Sequence, residues 1–213
     1  MPNHTTNILT VTGNKTVINK MIKAIQGVCD GEQSYIDFRK IKPRPKALDS
    51  TQSPLPLATE LGIELITKNG GKIDKNLTKL EQVQTGEADL NAAKVALNNI
   101  KKYGAADWYN WSINNWGTKW NAYDTSEWED CKDGKITSFY TAWSPPTPVI
   151  EKLSSKYPTL TFKLEYADEG GGFLGFSTFE DGVEIEEVEY GWNSKKGKEL
   201  REKMGIYYPE DEE

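Results

Sequence analysis

Residues 135–169, KITSFYTAWSPPTPVIEKLSSKYPTLTFKLEYADE, decide the fold class. KITSFYTAW is rich in β-branched and aromatic residues and reads as a strand. Val149, Ile150, Leu153 and Tyr157 then recur at helical spacing, and Pro158 ends the run. Ser144 is a suitable N-cap with Pro145 at the first helical position; Thr147 followed by Pro148 offers an alternative start. TLTFKLEYADE alternates Leu160, Phe162, Leu164 and Tyr166, a second strand. Strand, helix, strand is one half of a split βαβ unit.

Toward the N-terminus a matching half is expected. TNILTVTG (6–13) reads as a strand ending in a turn. Asn14 is placed to cap a helix carrying Val17, Ile18, Met21, Ile22 and Ile25 up to Gly27. SYIDFRKIKP alternates Ile36 and Phe38 against Tyr35, Asp37 and Arg39, which predicts a second strand stopped by proline. From Pro43 to about Ala106 the pattern turns helical: a short helix over 55–66 broken at Gly70-Gly71, a helix in IDKNLTKLEQVQTG, and one in EADLNAAKVALNNIKKYG with Leu90, Ala93, Val95, Leu97 and Ile100 inward and Gly104 as its stop. Toward the C-terminus, Asp181-Gly182 between alternating segments is a hairpin signal. NSKKGKELREKMG predicts a helix with a basic face, and PEDEE a solvated acidic tail.

The expected fold is therefore α+β: a ferredoxin-like sandwich with an antiparallel sheet, a helical insertion between the second and third core strands, and a C-terminal hairpin extension. One domain spans 1–213. Its core is 1–46 and 107–192, its insertion 47–106, and its C-terminal helix and acidic tail 193–213.

Composition narrows the function classes. The net charge is -6, which argues against a protein that coats double-stranded DNA, because phosphate binding rests on clustered cations. No apolar run is long enough to span a membrane. MPNHTTNIL lacks the charged and apolar regions of a secretory leader, and Cys29 and Cys131 lie far apart in sequence, so a reducing, cytoplasmic setting is expected. His4 is the one histidine, which removes multi-histidine metal and acid–base arrangements. The cysteines lack metal-ligand spacing. EGGGFLG lacks the strand–loop–helix context and the lysine of a phosphate-binding loop. Glu165, Asp168 and Glu169 could offer oxygens to a divalent cation, or form a solvated strand edge. No catalytic residues, metal ligands or cofactor are assigned from the sequence.

Six of the seven tryptophans fall between Trp108 and Pro148. Their rings can stack on a planar ligand, and the asparagines among them can donate and accept. The competing reading is that these residues fix an irregular loop onto the open sheet face. The candidate contact residues are Trp116, Gly117, Lys119, Trp120, Asn121, Tyr123, Asp124 and Trp143. A second candidate is a basic patch of Arg39, Lys40, Lys42, Arg44 and Lys46, set against an acidic region over 164–190; such a bipolar surface suits docking, although charge runs are also ordinary solvated faces.

The motifs MPNHTTNILTVTG, the strand-plus-KPRP element at 36–45, NWGTKWNAYD at 115–124, TAWSPPTPVI at 141–150 and LEYADEGGGFLG at 164–175 resemble, in order, a family of phage- and plasmid-encoded proteins of unassigned function with a YubB-type ferredoxin-like domain. The resemblance is weakest over about 47–105. It implies a ferredoxin-like fold and a mobile-element origin, and it carries no catalytic residue. The functional expectation is a non-enzymatic binding protein that engages a host protein, with interference with a host defence as one form of this, through the aromatic and polar surface around 108–148. A module stacking nucleotides or single-stranded nucleic acid on tryptophan is the first alternative. A metal-dependent hydrolase using Asp and Glu is the second.

Overall fold

The structure, a computed structural model, describes residues 3–29, 31–68, 70–71 and 89–207. The chain forms two compact units, one of residues 1–43 and 115–213, the other of residues 44–114. The predicted helix in 73–86 and the PEDEE tail lie outside the described residues.

In the first unit, β1 (His4–Thr12) leads into α1 (Lys15–Ile25), then a small hairpin of β2 (Gly27–Cys29) and β3 (Glu32–Ser34), then the short α2 (Phe38–Ile41). In the second unit, α3 (Leu57–Lys68) pairs with α4 (Leu90–Tyr103). Helix α5 spans Trp108–Trp116. The first unit resumes with β4 (Glu129–Cys131), β5 (Gly134–Ala142), α6 (Thr147–Lys156), β6 (Thr161–Asp168), β7 (Leu174–Glu180), β8 (Val183–Glu189) and α7 (Lys195–Lys203).

The main sheet has the order β4-β5-β1-β6-β7-β8, every neighbouring pair antiparallel. β5, α6 and β6 form a βαβ crossover with β1 between the two strands, as residues 135–169 predict. Alternation fixes the faces of β1. Thr5, Asn7, Leu9 and Val11 are fully buried, while His4, Thr6 and Thr10 look to the other side and are only partly covered. Phe139, Phe162, Leu164 and Phe179 from neighbouring strands and Ile18, Met21, Val149, Ile150 and Leu153 from α1 and α6 complete this core. On the opposite face a smaller cluster of Ala167, Leu174 and Leu200 seats α7.

The predicted strand at 35–42 does not form. Asp37 turns inward instead, and its Oδ1 accepts the Arg39 backbone N–H at 3.0 Å, capping a helix whose Phe38 and Ile41 point into the core. An alternating pattern over so few residues fits one helical turn as well as a strand. Residues 123–131 run beside β5, through the Tyr123–Tyr140 bridge and β4. In the chain, residues 44–114 follow α2 and precede β4.

Other local expectations differ as well. Ser144 does not cap α6: its Oγ donates to the Gly117 carbonyl, and the helix begins at Thr147 with Pro148 in its first turn. In α4 the buried stripe is Ala93, Ala96 and Asn99, while Val95 and Ile100 are exposed. The small stripe follows from close approach, since a Cβ on Gly62 of α3 would lie 2.8 Å from the Ala93 Cβ. At the hairpin tip, Asp181 and Gly182 both have positive φ (47° and 77°), the two-residue turn the sequence indicates.

Candidate functional site

Asn121 shows how the segment after α5 is tied down. Its Oδ1 accepts the Phe38 N–H at 2.8 Å, and its Nδ2 donates to Asp37 Oδ1 at 2.9 Å and approaches Cys29 Sγ at 3.1 Å. Asp37 is 2 % exposed and also takes the Arg39 guanidinium, from Nε at 2.9 Å and Nη2 at 3.0 Å. Arg39 Nη2 reaches the Val28 carbonyl and Cys29 Sγ as well. One buried carboxylate thus fastens α2, the β2–β3 hairpin and residue 121 together. A side chain at Gly27 would place its Cβ 2.5 Å from Asp37 Oδ2, so only glycine lets the hairpin close on this carboxylate.

Trp116 is sealed in the interior. It meets Phe38 edge-on, and its Nε1 donates to the Lys42 carbonyl at 2.8 Å. Gly117 turns the chain at φ 76°, with Pro148 Cδ and the Pro145 carbonyl against the position a Cβ would take. Thr118 then acts as a strand rung: its Oγ1 donates to the Ala142 carbonyl at 2.8 Å and accepts the Ala142 N–H at 3.1 Å. These three residues anchor the loop to the end of β5.

The next residues turn outward. The Lys119 ammonium lies 4.7 Å from the centroid of the Trp120 ring and 4.9 Å from that of Trp143. The two indoles are 39 % and 40 % exposed. Trp143 holds φ at 71°, a region that costs a bulky residue about 1–3 kcal/mol. Its N–H donates to the Asn3 carbonyl, which fixes this turn at the end of β5.

Beside Trp120 a cleft of about 540 Å³ opens between the β2–β3 hairpin and the 120–125 segment. His4, Glu32, Gln33, Trp120, Tyr123 and Asp124 are among its walls. Tyr123 Oη and His4 Nδ1 are 2.6 Å apart, and Tyr123 can also donate to the Thr141 carbonyl at 3.3 Å. Burial, reinforced by the Glu169 and Asp124 carboxylates, pushes the Tyr123 phenol up to about 12. Asp124 sits at φ 47°, which an aspartate tolerates, and is exposed.

The candidate contact residues therefore separate by role. Trp116, Gly117 and Asn121 hold the structure, whereas Lys119, Trp120, Tyr123, Asp124 and Trp143 shape an accessible surface. The five cations do not act alike. Arg39 is engaged by Asp37, and Arg44 pairs with Asp49 at 2.8 Å and lies over Trp108. Lys40 and Lys46 are exposed. Desolvation lowers the Lys42 pKa. Arg39, Lys40 and Lys42 belong to the first unit, Arg44 and Lys46 to the second. Sequence reading missed Asp37, Thr118, Glu32 and Gln33. Of these only Asp37 had a local signal, an Asp at the N-cap of Phe38–Ile41.

Glu165, Asp168 and Glu169 do not converge. Glu165 pairs with Lys203 and Lys163, Asp168 Oδ2 accepts the Gly172 N–H, and Glu169 Oε1 accepts the His4 N–H. Among the described residues no group of three or more His, Cys, Asp or Glu side chains is arranged to hold a metal ion. No helix among the described residues is long and apolar enough to cross a membrane.

Residues 115–210 match the family model described as "Ferredoxin-like domain in Api92-like protein". The match covers the segment that carries Lys119, Trp120 and Trp143 and all of β4 to α7. A crystal structure of protein api92 from Yersinia pseudotuberculosis is similar at a TM-score of 0.48 and 11% identity, covering 90% of this chain and 99% of that one. No curated protein matches the sequence.

Proposed function

We propose that the protein is a binding protein that docks a partner protein on the surface formed by Trp120, Lys119 and Trp143. The observation that carries this reading is Trp143. A large apolar ring is held at positive φ, at an energetic cost, and stays two-fifths exposed beside a second exposed indole. A ring needed only for packing would face inward, as Trp116 does. Tryptophan is enriched among the residues that dominate protein interfaces. If the mobile-element origin implied by the sequence motifs holds, the partner is a host protein, and interference with a host defence is one form such docking takes.

The test compares the wild-type protein with a Trp120→Ala/Trp143→Ala variant in quantitative capture from a lysate. The variant's melting is checked first. A partner enriched by the wild type, lost with the variant and bound directly by the purified wild type supports the reading. Equal capture by both proteins refutes it.

A second reading is favoured by the ammonium between the two rings. Lys119 could pair with a phosphate while a base stacks on an indole. Titration with single-stranded oligonucleotides would then quench tryptophan fluorescence, and the quenching would weaken as salt rises.

A further inference from the structure

The cleft beside Trp120 has the wrong charge for a phosphate and the right walls for a cation. Two carboxylates, Glu32 on β3 and Asp124 on the opposite wall, line it. Neither forms an ion pair among the described residues. The guanidinium that also reaches the cleft, Arg39, is answered by Asp37. The Lys119 ammonium is not part of the lining and lies against the Trp120 and Trp143 rings. The lining groups Glu32, Asp124 and Arg39 sum to one negative charge, and with Arg39 held by the buried Asp37 the two carboxylates are the groups left to meet a ligand. Its aromatic walls, Trp120 and Tyr123, are set edge to face at 6.4 Å, with His4 next to Tyr123. Its volume lies within the range of about 300–1,000 Å³ usual for specific ligand sites.

We propose that this cleft takes a guanidinium group, presented as an arginine side chain by a partner polypeptide. Guanidinium is planar and weakly hydrated. It stacks on indole and phenol faces and directs several N–H donors at carboxylates lying in its plane. A neutral planar ligand can donate N–H groups to Glu32 and Asp124 but brings no positive charge to set against theirs, so its hydrogen bonds to them are weaker than charge-assisted ones. An anion would be repelled by both. Trp120 lines the cleft and is joined to the exposed Trp143 ring through the Lys119 ammonium, so residues flanking the arginine have a surface to lie on. This rests on the docking role proposed above and adds the chemistry of the partner.

The test uses three acetylated, amidated pentapeptides, Gly-Gly-Arg-Gly-Gly and its lysine and glutamine counterparts, titrated to about 10 mM, since a single side chain binds at millimolar strength at best. The readout is the indole N–H resonance of Trp120, assigned by its loss in Trp120→Phe. The arginine peptide should shift it saturably, the glutamine peptide should not, and Glu32→Gln/Asp124→Asn should weaken the arginine response about 10-fold. An equal response to arginine and glutamine, a stronger response to lysine than to arginine, or no change in the double variant would overturn the proposal. The double variant keeps both tryptophans. If it still captures the partner that Trp120→Ala/Trp143→Ala loses, the cleft assignment fails while the docking surface stands. If neither variant loses a partner, the docking surface fails too.

Discussion

Asp37→Ala removes the acceptor on which three parts of the first unit converge. The N-cap bond to the Arg39 N–H is lost, at about 1 kcal/mol. The Asn121 NH2 group loses its carboxylate acceptor in a part-buried position and keeps its longer contact to Cys29 Sγ, at about 1–1.5 kcal/mol. The Arg39 side chain is 47% exposed, so water screens its lost ion pair and its share is about 0.5 kcal/mol. The sum is about 3 kcal/mol, which in a chain of this size lowers the melting temperature by about 6–12 °C. Asp37→Asn keeps an amide oxygen at the same place and should lose about half as much. Urea unfolding followed by tryptophan fluorescence measures both. Trp116, Trp120, Trp128, Trp143 and Trp192 lie in the first unit, so the signal reports mainly on the part that Asp37 fastens. A loss below about 1 kcal/mol for Asp37→Ala, with an unchanged slope, would refute the claim that this carboxylate fastens the unit.

Three further perturbations follow from the same geometry. Gly117→Ala forces a side chain to adopt φ 76° against the Pro148 ring and should destabilise by about 2–3 kcal/mol, read as a shift of the urea midpoint. Trp116→Phe removes the donor to the Lys42 carbonyl and leaves a void beside Phe38, at about 2 kcal/mol in the same assay. Tyr123 ionises near 12 in the folded protein and near 10 when unfolded. The unfolded state therefore sheds this proton first, and stability should be unaffected by Tyr123 below about pH 10 and fall as pH rises from about 10 toward 12. Phenolate absorbance should show a late-titrating tyrosine in the native protein that is missing in Tyr123→Phe; a complete titration near pH 10 would contradict the burial of this phenol.

Much of the sheet was legible because its signals are local. Residues 135–169 encode β5, α6 and β6 through β-branched alternation, helical spacing and proline, and Asp181-Gly182 encodes the turn between β7 and β8. Asn14 marks the start of α1 in the same way. The site was legible only in part. The aromatic and polar character of 116–124 pointed to the right segment, but the exposed pair includes Trp143, which lies 23 positions beyond Trp120 in the chain numbering and meets it only across Lys119.

By itself the amino-acid sequence determined which segments become strands and helices wherever the pattern was long enough to exclude the alternative period. It also determined that no cluster of histidines could organise a site. The tertiary structure decided which edge strand completes the sheet, because Asp37 finds buried donors in Arg39 and Asn121 and so draws residues 35–42 out of the strand conformation. It decided as well which tryptophans face solvent: an indole looks the same in sequence whether its N–H meets the Lys42 carbonyl inside or its ring meets the Lys119 ammonium outside. Burial is a property of the surroundings that distant segments supply, and only the folded chain brings them together.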